Sequence, residues 1–171
     1  MSSAEPEVQL RRVDEDVLEE LVAAALRGAD AREVTPPVTP GEEWTPGRVD
    51  WLRNFHRTRQ SDLDAADAEM SWAVVADSQV VGAVRLKRVA GAPSAEVGLW
   101  LTRSARGRGI GRRAVMAALA EAADRGLTAV RADTTVGNGR ALALLAGLGF
   151  ERSPADGDTV IAWRVLDDPT G

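Results

Sequence analysis

The chain has no cysteine and no tyrosine, one histidine and one lysine among 171 residues. Without cysteine there are no disulfides, no thiolate nucleophile and no cysteine-ligated metal. A single imidazole, His56, leaves too few ligands for a zinc site and argues against a serine–histidine relay, so no metal is expected. No apolar run approaches the roughly 20 residues of a membrane span. Residues 1–12 also lack the basic and apolar regions of a secretory signal. The expected compartment is therefore the cytoplasm, with no membrane association. A formal net charge of −5 argues against a general nucleic-acid binder, which would carry a basic surface.

Within these limits the composition is that of an ordinary globular protein, with 44% hydrophobic and 27% charged residues, long enough to bury a core as one domain spanning 1–171. The segment 8–13 reads as a strand. Residues 14–26 follow with Leu18, Leu21, Val22 and Ala25 at helical spacing, and Asp14 or Asp16 as the N-cap. Four prolines between 32 and 47 predict a loop, and helix returns over about 48–60. The stretch 70–89 predicts a hairpin turning at Asp77–Gln79, and "AEVGLWL" (95–101) a further strand. Val115, Ala118, Leu119 and Ala122 fall on one helical face. Residues 128–136 alternate as a strand, Asn138 caps a helix burying Ala141, Leu144, Leu145 and Leu148, and 159–166 closes the fold as a strand. Residues 167–171 are expected to fray. The order is β α α β β β α β α β β, with no internal repeat or linker, which gives an α/β fold with a mixed sheet of about seven strands and flanking helices.

One stretch stands out against the acidic background. At 20 arginines in 171 positions an eleven-residue window should hold between one and two, whereas 103–113 ("RSARGRGIGRR") holds five. Glycines at 107, 109 and 111 allow positive φ and close approach to the backbone. Free amides at a helix start, reinforced by the helix dipole, form an anion cradle, and arginines at 106, 108, 112 and 113 add charge-assisted donors. The physical reading is a phosphate or pyrophosphate site. The spacing is neither a Walker loop nor a dinucleotide fingerprint, and a glycine-rich turn alone leaves ligand cradle and plain turn both open.

Arg106-x-x-Gly109-x-Gly111 resembles the [Q/R]-x-x-G-x-[G/A] acetyl-CoA signature of the GNAT superfamily of N-acetyltransferases. About 27 residues on, "NGRALALLAGLGF" (138–150) resembles that family's second motif, and the element order agrees along nearly the whole chain. The sequence style of 95–111 is most similar to the RimJ/RimL-type branch, which acetylates protein N-termini and other amines. The resemblance implies acetyl-CoA bound where two parallel strands, 95–102 and 128–136, splay apart. The amides of 107–111 (Gly107, Arg108, Gly109, Ile110, Gly111) would hold the pyrophosphate, with Arg106, Arg108 and Arg112 as side-chain partners and Arg103 and Arg113 facing solvent. Backbone groups at Leu99 and Leu101 would pair with the pantetheine arm, the Leu99 N–H donating to the thioester oxygen. Asn138 would hydrogen-bond the same arm, or act as a plain helix cap, or both.

Alternation sets Ala95, Val97, Leu99 and Leu101 on one face of their strand, and Glu96, Gly98 and Trp100 on the other. Gly98 inside a strand signals a bulge or a close approach. By the resemblance, Glu96 is the general base that takes the amine proton; otherwise it is a half-exposed strand glutamate. Many family members protonate the leaving thiolate with a tyrosine. That place is Leu145 here; RimJ/RimL-type sequences often carry leucine there and a serine three residues after the asparagine, where this chain has Ala141. A thiol of pKa ~8.5 leaves with little assistance, so transfer remains feasible. The implied function is direct transfer of acetyl from acetyl-CoA to a primary amine in a ternary complex, by a monomer or homodimer. The alternative is a catalytically silent acyl-CoA-binding or regulatory module on the same fold.

In this family the first helices and last hairpin, here 30–65 and 152–160, commonly wall the acceptor cleft. Trp44, Trp51 and His56 are candidates for lining it, although aromatics at helical spacing more often join a core. His56, beside Arg53, Arg57 and Arg59, reads as surface rather than catalytic. Glu42, Glu43, Asp62 and Asp64 either attract a cationic amine or are solvated loop charges.

Overall fold

The computed structural model describes residues 4–59, 63 and 65–167. Strand β1 (Val8–Arg12) leads into α1 (Glu15–Gly28), a short α2 (Ala31–Val34) and α3 (Pro46–Thr58). Then come β2 (Glu69–Ala76), β3 (Gln79–Arg88), β4 (Ser94–Leu101), α4 (Ile110–Asp124), β5 (Ala129–Thr135), α5 (Gly139–Gly147), β6 (Glu151–Arg152) and β7 (Thr159–Val165). The seven strands form one sheet in the order β1-β2-β3-β4-β5-β7-β6. All pairs are antiparallel except β4 with β5, so the sheet is mixed as expected.

Local chemistry explains most boundaries. The Asp14 carboxylate accepts from the Val17 amide at 2.8 Å, which selects Asp14 over Asp16 as the cap of α1 and contributes about 1 kcal/mol. The 32–47 stretch is not loop throughout. Asp30 caps α2 and Thr45 caps α3, which starts at Pro46. Proline suits that first turn because its missing N–H would have no partner there. The remainder of the proline-rich segment is held by Arg48, whose buried guanidinium donates to Thr35 Oγ1 (2.7 Å), Pro36 O (3.2 Å) and Gly41 O (2.9 Å). The hairpin turns at Asp77 and Ser78, both at positive φ.

Each face of the sheet has its own core. On one face α4 presents Val115, Ala118, Leu119 and Ala122, all buried against β2–β5. On the other, Leu18, Leu21, Val22 and Ala25 of α1, with Leu52 of α3, cover Ala73, Val75 and Ala83. Full burial of each leucine stabilises the fold by roughly 1.5–3 kcal/mol. Helix α5 departs from expectation. Leu145 and Leu148 are buried, but Ala141 and Leu144 are only half-buried, because they border an open cleft rather than the sheet. Among the described residues no helix is long and apolar enough to cross a membrane. Of the terminal segment expected to fray, 168–171 lies outside the described residues.

Candidate functional site

Strands β4 and β5 pair over three positions only: Ser94 with Ala129, Ala95 with Val130, and Glu96 with Arg131. Beyond them the strands part, while β4 stays in continuous register with β3 from Arg88–Ala95 to Gly82–Leu101. The Val89 amide donates to Ser94 O (2.9 Å) and the Thr102 amide to Val81 O (2.8 Å). Even-numbered backbone groups of β4 therefore face β3. By alternation the odd-numbered groups face β5, and past Val97, which adjoins the last pair, those of Leu99 and Leu101 face the side from which β5 has withdrawn. The result is an open strand edge inside a sheet, bordering a cleft of about 700 Å³.

At the end of β4 the chain makes one 3₁₀ turn (Arg103–Ala105) and enters the glycine-rich corner. Gly107 and Gly109 sit at φ +75° and +76°, and no side chain caps α4. The first amides of that helix are left to an external acceptor. The arginines divide by partner. Arg106 reaches Glu33 (2.6 Å) and Arg108 reaches Asp77 (3.1 Å). Arg112 forms no ion pair among the described residues. Arg103 is exposed as expected, but Arg113 is not simply solvated: it is half-buried and paired with Glu5. Asn138 lines the cleft and also caps α5, accepting from the Ala141 amide at 3.1 Å. Leu144, Leu145 and Ala141 lie on the cleft wall beside it.

A row of alternating charges crosses the sheet on the α1/α3 side. Glu69 of β2 accepts from Arg59 (2.6 Å) and Arg85 (3.1 Å). Arg85 of β3 also donates to Glu96 of β4 at 3.3 Å. The other Glu96 oxygen is 3.9 Å from Arg131 of β5, which is bidentate to Asp133 at 2.7 and 2.6 Å. Glu69, Arg85, Glu96 and Asp133 all line the cleft. Glu96 keeps 28% of its side chain exposed, enough to meet a ligand, whereas Glu69 keeps 10%. Gly98 makes the row possible: a Cβ there would lie 2.8 Å from Arg85 Nε. The close approach signalled by a glycine inside a strand is the Arg85 side chain lying across it.

Residues 7–151 match the acetyltransferase (GNAT) domain family. The chain belongs to the GNAT acetyltransferases. No curated protein sequence matches it at a significant level. Among solved structures it is similar to Mycobacterium smegmatis RimJ in complex with CoA-disulfide, with 19% identity, a TM-score of 0.75, and 92% of this chain and 81% of that one covered. The Thermoplasma acidophilum PaiA N-acetyltransferase in complex with coenzyme A gives 20% identity and a TM-score of 0.67, covering 93% and 99%. The Vibrio cholerae spermidine N-acetyltransferase in complex with CoA and spermine gives 18% and 0.70, covering 93% and 95%. At these identities the likeness is one of fold.

In this acetyltransferase the single histidine is not on the surface. His56 is 2% exposed, because the inner face of α3 turns it toward β2. Its Nδ1 lies 2.9 Å from Ser71 Oγ, and both residues line the cleft. Burial pushes the imidazole from its ordinary 6.5 down to about 4, with Arg59 adding to the effect and Glu69 opposing it. His56 is thus neutral at pH 7.

The acceptor side of the acetyltransferase differs from expectation in further respects. Residues 32–36 and parts of 51–59 do wall the cleft, and Trp51 lines it, but no residue of 152–160 does. Trp44 packs on the α1 core and donates its indole N–H to Ala29 O at 2.9 Å. Glu42 pairs with Arg32 in solvent, Glu43 is exposed, and Asp62 and Asp64 lie outside the described residues. Glu69, Arg85 and Asp133 were missed in the sequence. Their signal was present as polar residues at alternate positions of otherwise apolar strands.

Proposed function

We propose that the chain transfers the acetyl group of acetyl-CoA to a primary amine by direct transfer in a ternary complex, in the manner of the RimJ/RimL-like branch. The observation that carries this reading is the open β4 edge leading into an uncapped helix start, with Glu96 on the cleft wall beside it. The fit of an extended thioester arm rests on the backbone groups of Leu99 and the N–H of Leu101, which no strand pairs, while the Leu101 carbonyl accepts from Arg106 at 3.3 Å. The fit of a pyrophosphate rests on the amides of Gly107, Arg108, Gly109, Ile110 and Gly111, with Arg106, Arg108 and Arg112 supplying charge. Engaging the ligand requires Arg106 and Arg108 to exchange Glu33 and Asp77 for phosphate. Asn138 completes the arm's polar contacts at the α5 end.

In the chemical step the neutral amine nitrogen bonds to the acetyl carbon, the carbon–sulfur bond breaks, and the sulfur leaves as CoA. The Leu99 N–H stabilises charge developing on the carbonyl oxygen. Glu96 accepts the amine proton, directly or through water, an effect typically worth ~10²–10⁴ in rate. Arg85 and Arg131 hold its carboxylate in place from either side. Thiol release measured against a panel of amines and peptides tests the reaction. Glu96→Gln should lower kcat by about 10²-fold and remove the acidic limb of its pH profile; an unchanged kcat and profile would overturn the base assignment.

A second reading, a silent acyl-CoA-binding module, is favoured by Leu145 and Ala141 standing where helper hydroxyls occur in the family. It predicts thermal stabilisation by CoA with no thiol release on any amine.

A further inference from the structure

The cleft carries four carboxylates and each already faces a guanidinium: Glu33 meets Arg106, Glu69 meets Arg59 and Arg85, Glu96 meets Arg85 and Arg131, and Asp133 meets Arg131. A polycationic acceptor entering here finds three of these carboxylates held by arginines even after phosphate has drawn Arg106 from Glu33, and meets the repulsion of those arginines. Of the cations on the cleft wall, Arg32, Arg59 and Arg85 are themselves ion-paired. Lys87, the chain's single lysine, forms no ion pair among the described residues. It stands directly across the strands from Glu69 on one side and Glu96 on the other, yet both carboxylates turn to arginine instead. In the ligand-free cleft the one wall charge without an ion-pair partner among the described residues is therefore an exposed ammonium, a register neighbour of Glu96.

We infer that the acceptor is an amine carrying its own anionic group, a carboxylate or equivalent, which Lys87 holds while the amine lies at Glu96. Lys87 is then a specificity-determining residue, and polyamines are poor acceptors. The inference rests on the acetyltransferase reading above and narrows its substrate class. Register supports the geometry. Lys87 pairs with Glu96, and Leu99 lies three residues further along β4, roughly 10 Å at ~3.4 Å per residue. An acceptor with amine and carboxylate several ångströms apart spans that wall. Both ends gain: the anion finds the free cation, and the ammonium, before losing its proton, faces the exposed part of Glu96.

The test uses the full chain with acetyl-CoA and a series of ω-amino acids from glycine to six-carbon 6-aminohexanoate, each beside its carboxamide, with spermidine as the polycation. Thiol release gives kcat/KM for every member. For at least one chain length the acid should exceed its amide by about threefold at low salt, as befits one exposed charge, and the preference should shrink in 0.5 M salt. Lys87→Glu should invert that acid-to-amide ratio, and Lys87→Met should bring it to about one. Spermidine outrunning every amino acid, or a ratio that Lys87→Glu leaves unchanged, overturns the inference while leaving the acetyltransferase reading intact. Stabilisation by CoA with no thiol release on any member overturns both.

Discussion

Replacing Gly98 by alanine places a Cβ 2.8 Å from Arg85 Nε and 3.2 Å from its Cγ and Cζ. Non-bonded heavy atoms settle at about 3.5–4.0 Å, so the guanidinium must withdraw by ~1 Å. The backbone at 98 lies outside the positive-φ region, and the displaced atoms belong to a flexible side chain. The cost in stability should therefore stay below about 1 kcal/mol, as for most substitutions that touch no core contact. The cost in function should be larger. At 3.3 Å the Arg85–Glu96 hydrogen bond has no slack, and a shift of ~1 Å breaks it and releases the Glu96 carboxylate. Misplacing a catalytic group by that distance costs up to about 10²-fold in rate, equivalent to about 2.7 kcal/mol of barrier. Three measurements on one preparation decide the matter: melting temperature, CoA affinity by calorimetry, and kcat/KM against pH. We expect the first two to hold and the third to fall by 10- to 100-fold. Wild-type kcat/KM in Gly98→Ala would refute the argument that Arg85 positions Glu96.

Three further outcomes are expected. His56 resists protonation when folded, so between pH 6.5 and about 4 the unfolded chain binds more protons; stability is complete above 6.5 and falls by up to about 3 kcal/mol as pH drops to 4. Urea titrations across that window should show a larger loss in wild type than in His56→Gln, since the arginine-paired carboxylates Glu15, Glu19 and Asp30 lose stability on acidification in both. Gly109→Ala forces a Cβ into the left-handed region at φ +76°, costing about 1 kcal/mol of stability, and should weaken CoA binding at least tenfold by crowding the start of α4; unchanged calorimetric affinity would count against the pyrophosphate assignment. Gly82→Ala puts a Cβ 2.1 Å from the Trp100 carbonyl oxygen. That contact is with backbone and cannot relax locally, so strands β3 and β4 must separate and the melting temperature should fall by 10 °C or more.

The fold was legible because its helices and strands carry their own local instructions. The α4 face at Val115, Ala118, Leu119 and Ala122 reads directly as helix, and the Asp77–Ser78 turn separates two strands of plain alternation. The glycine-rich corner was legible for a related reason: positive φ and uncapped amides are properties of a short contiguous stretch. What the sequence concealed is lateral. Glu69, Arg85, Glu96 and Arg131 follow one another at intervals of 11 to 35 positions and become neighbours only through strand register. The same holds for His56, whose flanking arginines suggest surface while the helix turns its imidazole inward to Ser71. Ala141 and Leu144 read as core because their spacing is helical, yet spacing cannot reveal that the surface they face is an open cleft.

The parting of β4 from β5 means that this sheet is two half-sheets joined through three residue pairs. Amides at Leu99 and Leu101 have no strand partner to slow their exchange with solvent, although they lie near the middle of the molecule. An extended ligand lodged there does the work of an eighth strand, and its hydrogen bonds become part of the cooperative unit that must break on unfolding. Occupancy is then written into the stability of the fold, which rises by RT ln(1 + [L]/Kd). Hydrogen-exchange protection appearing at these two positions would report the acyl donor's arrival before any product forms.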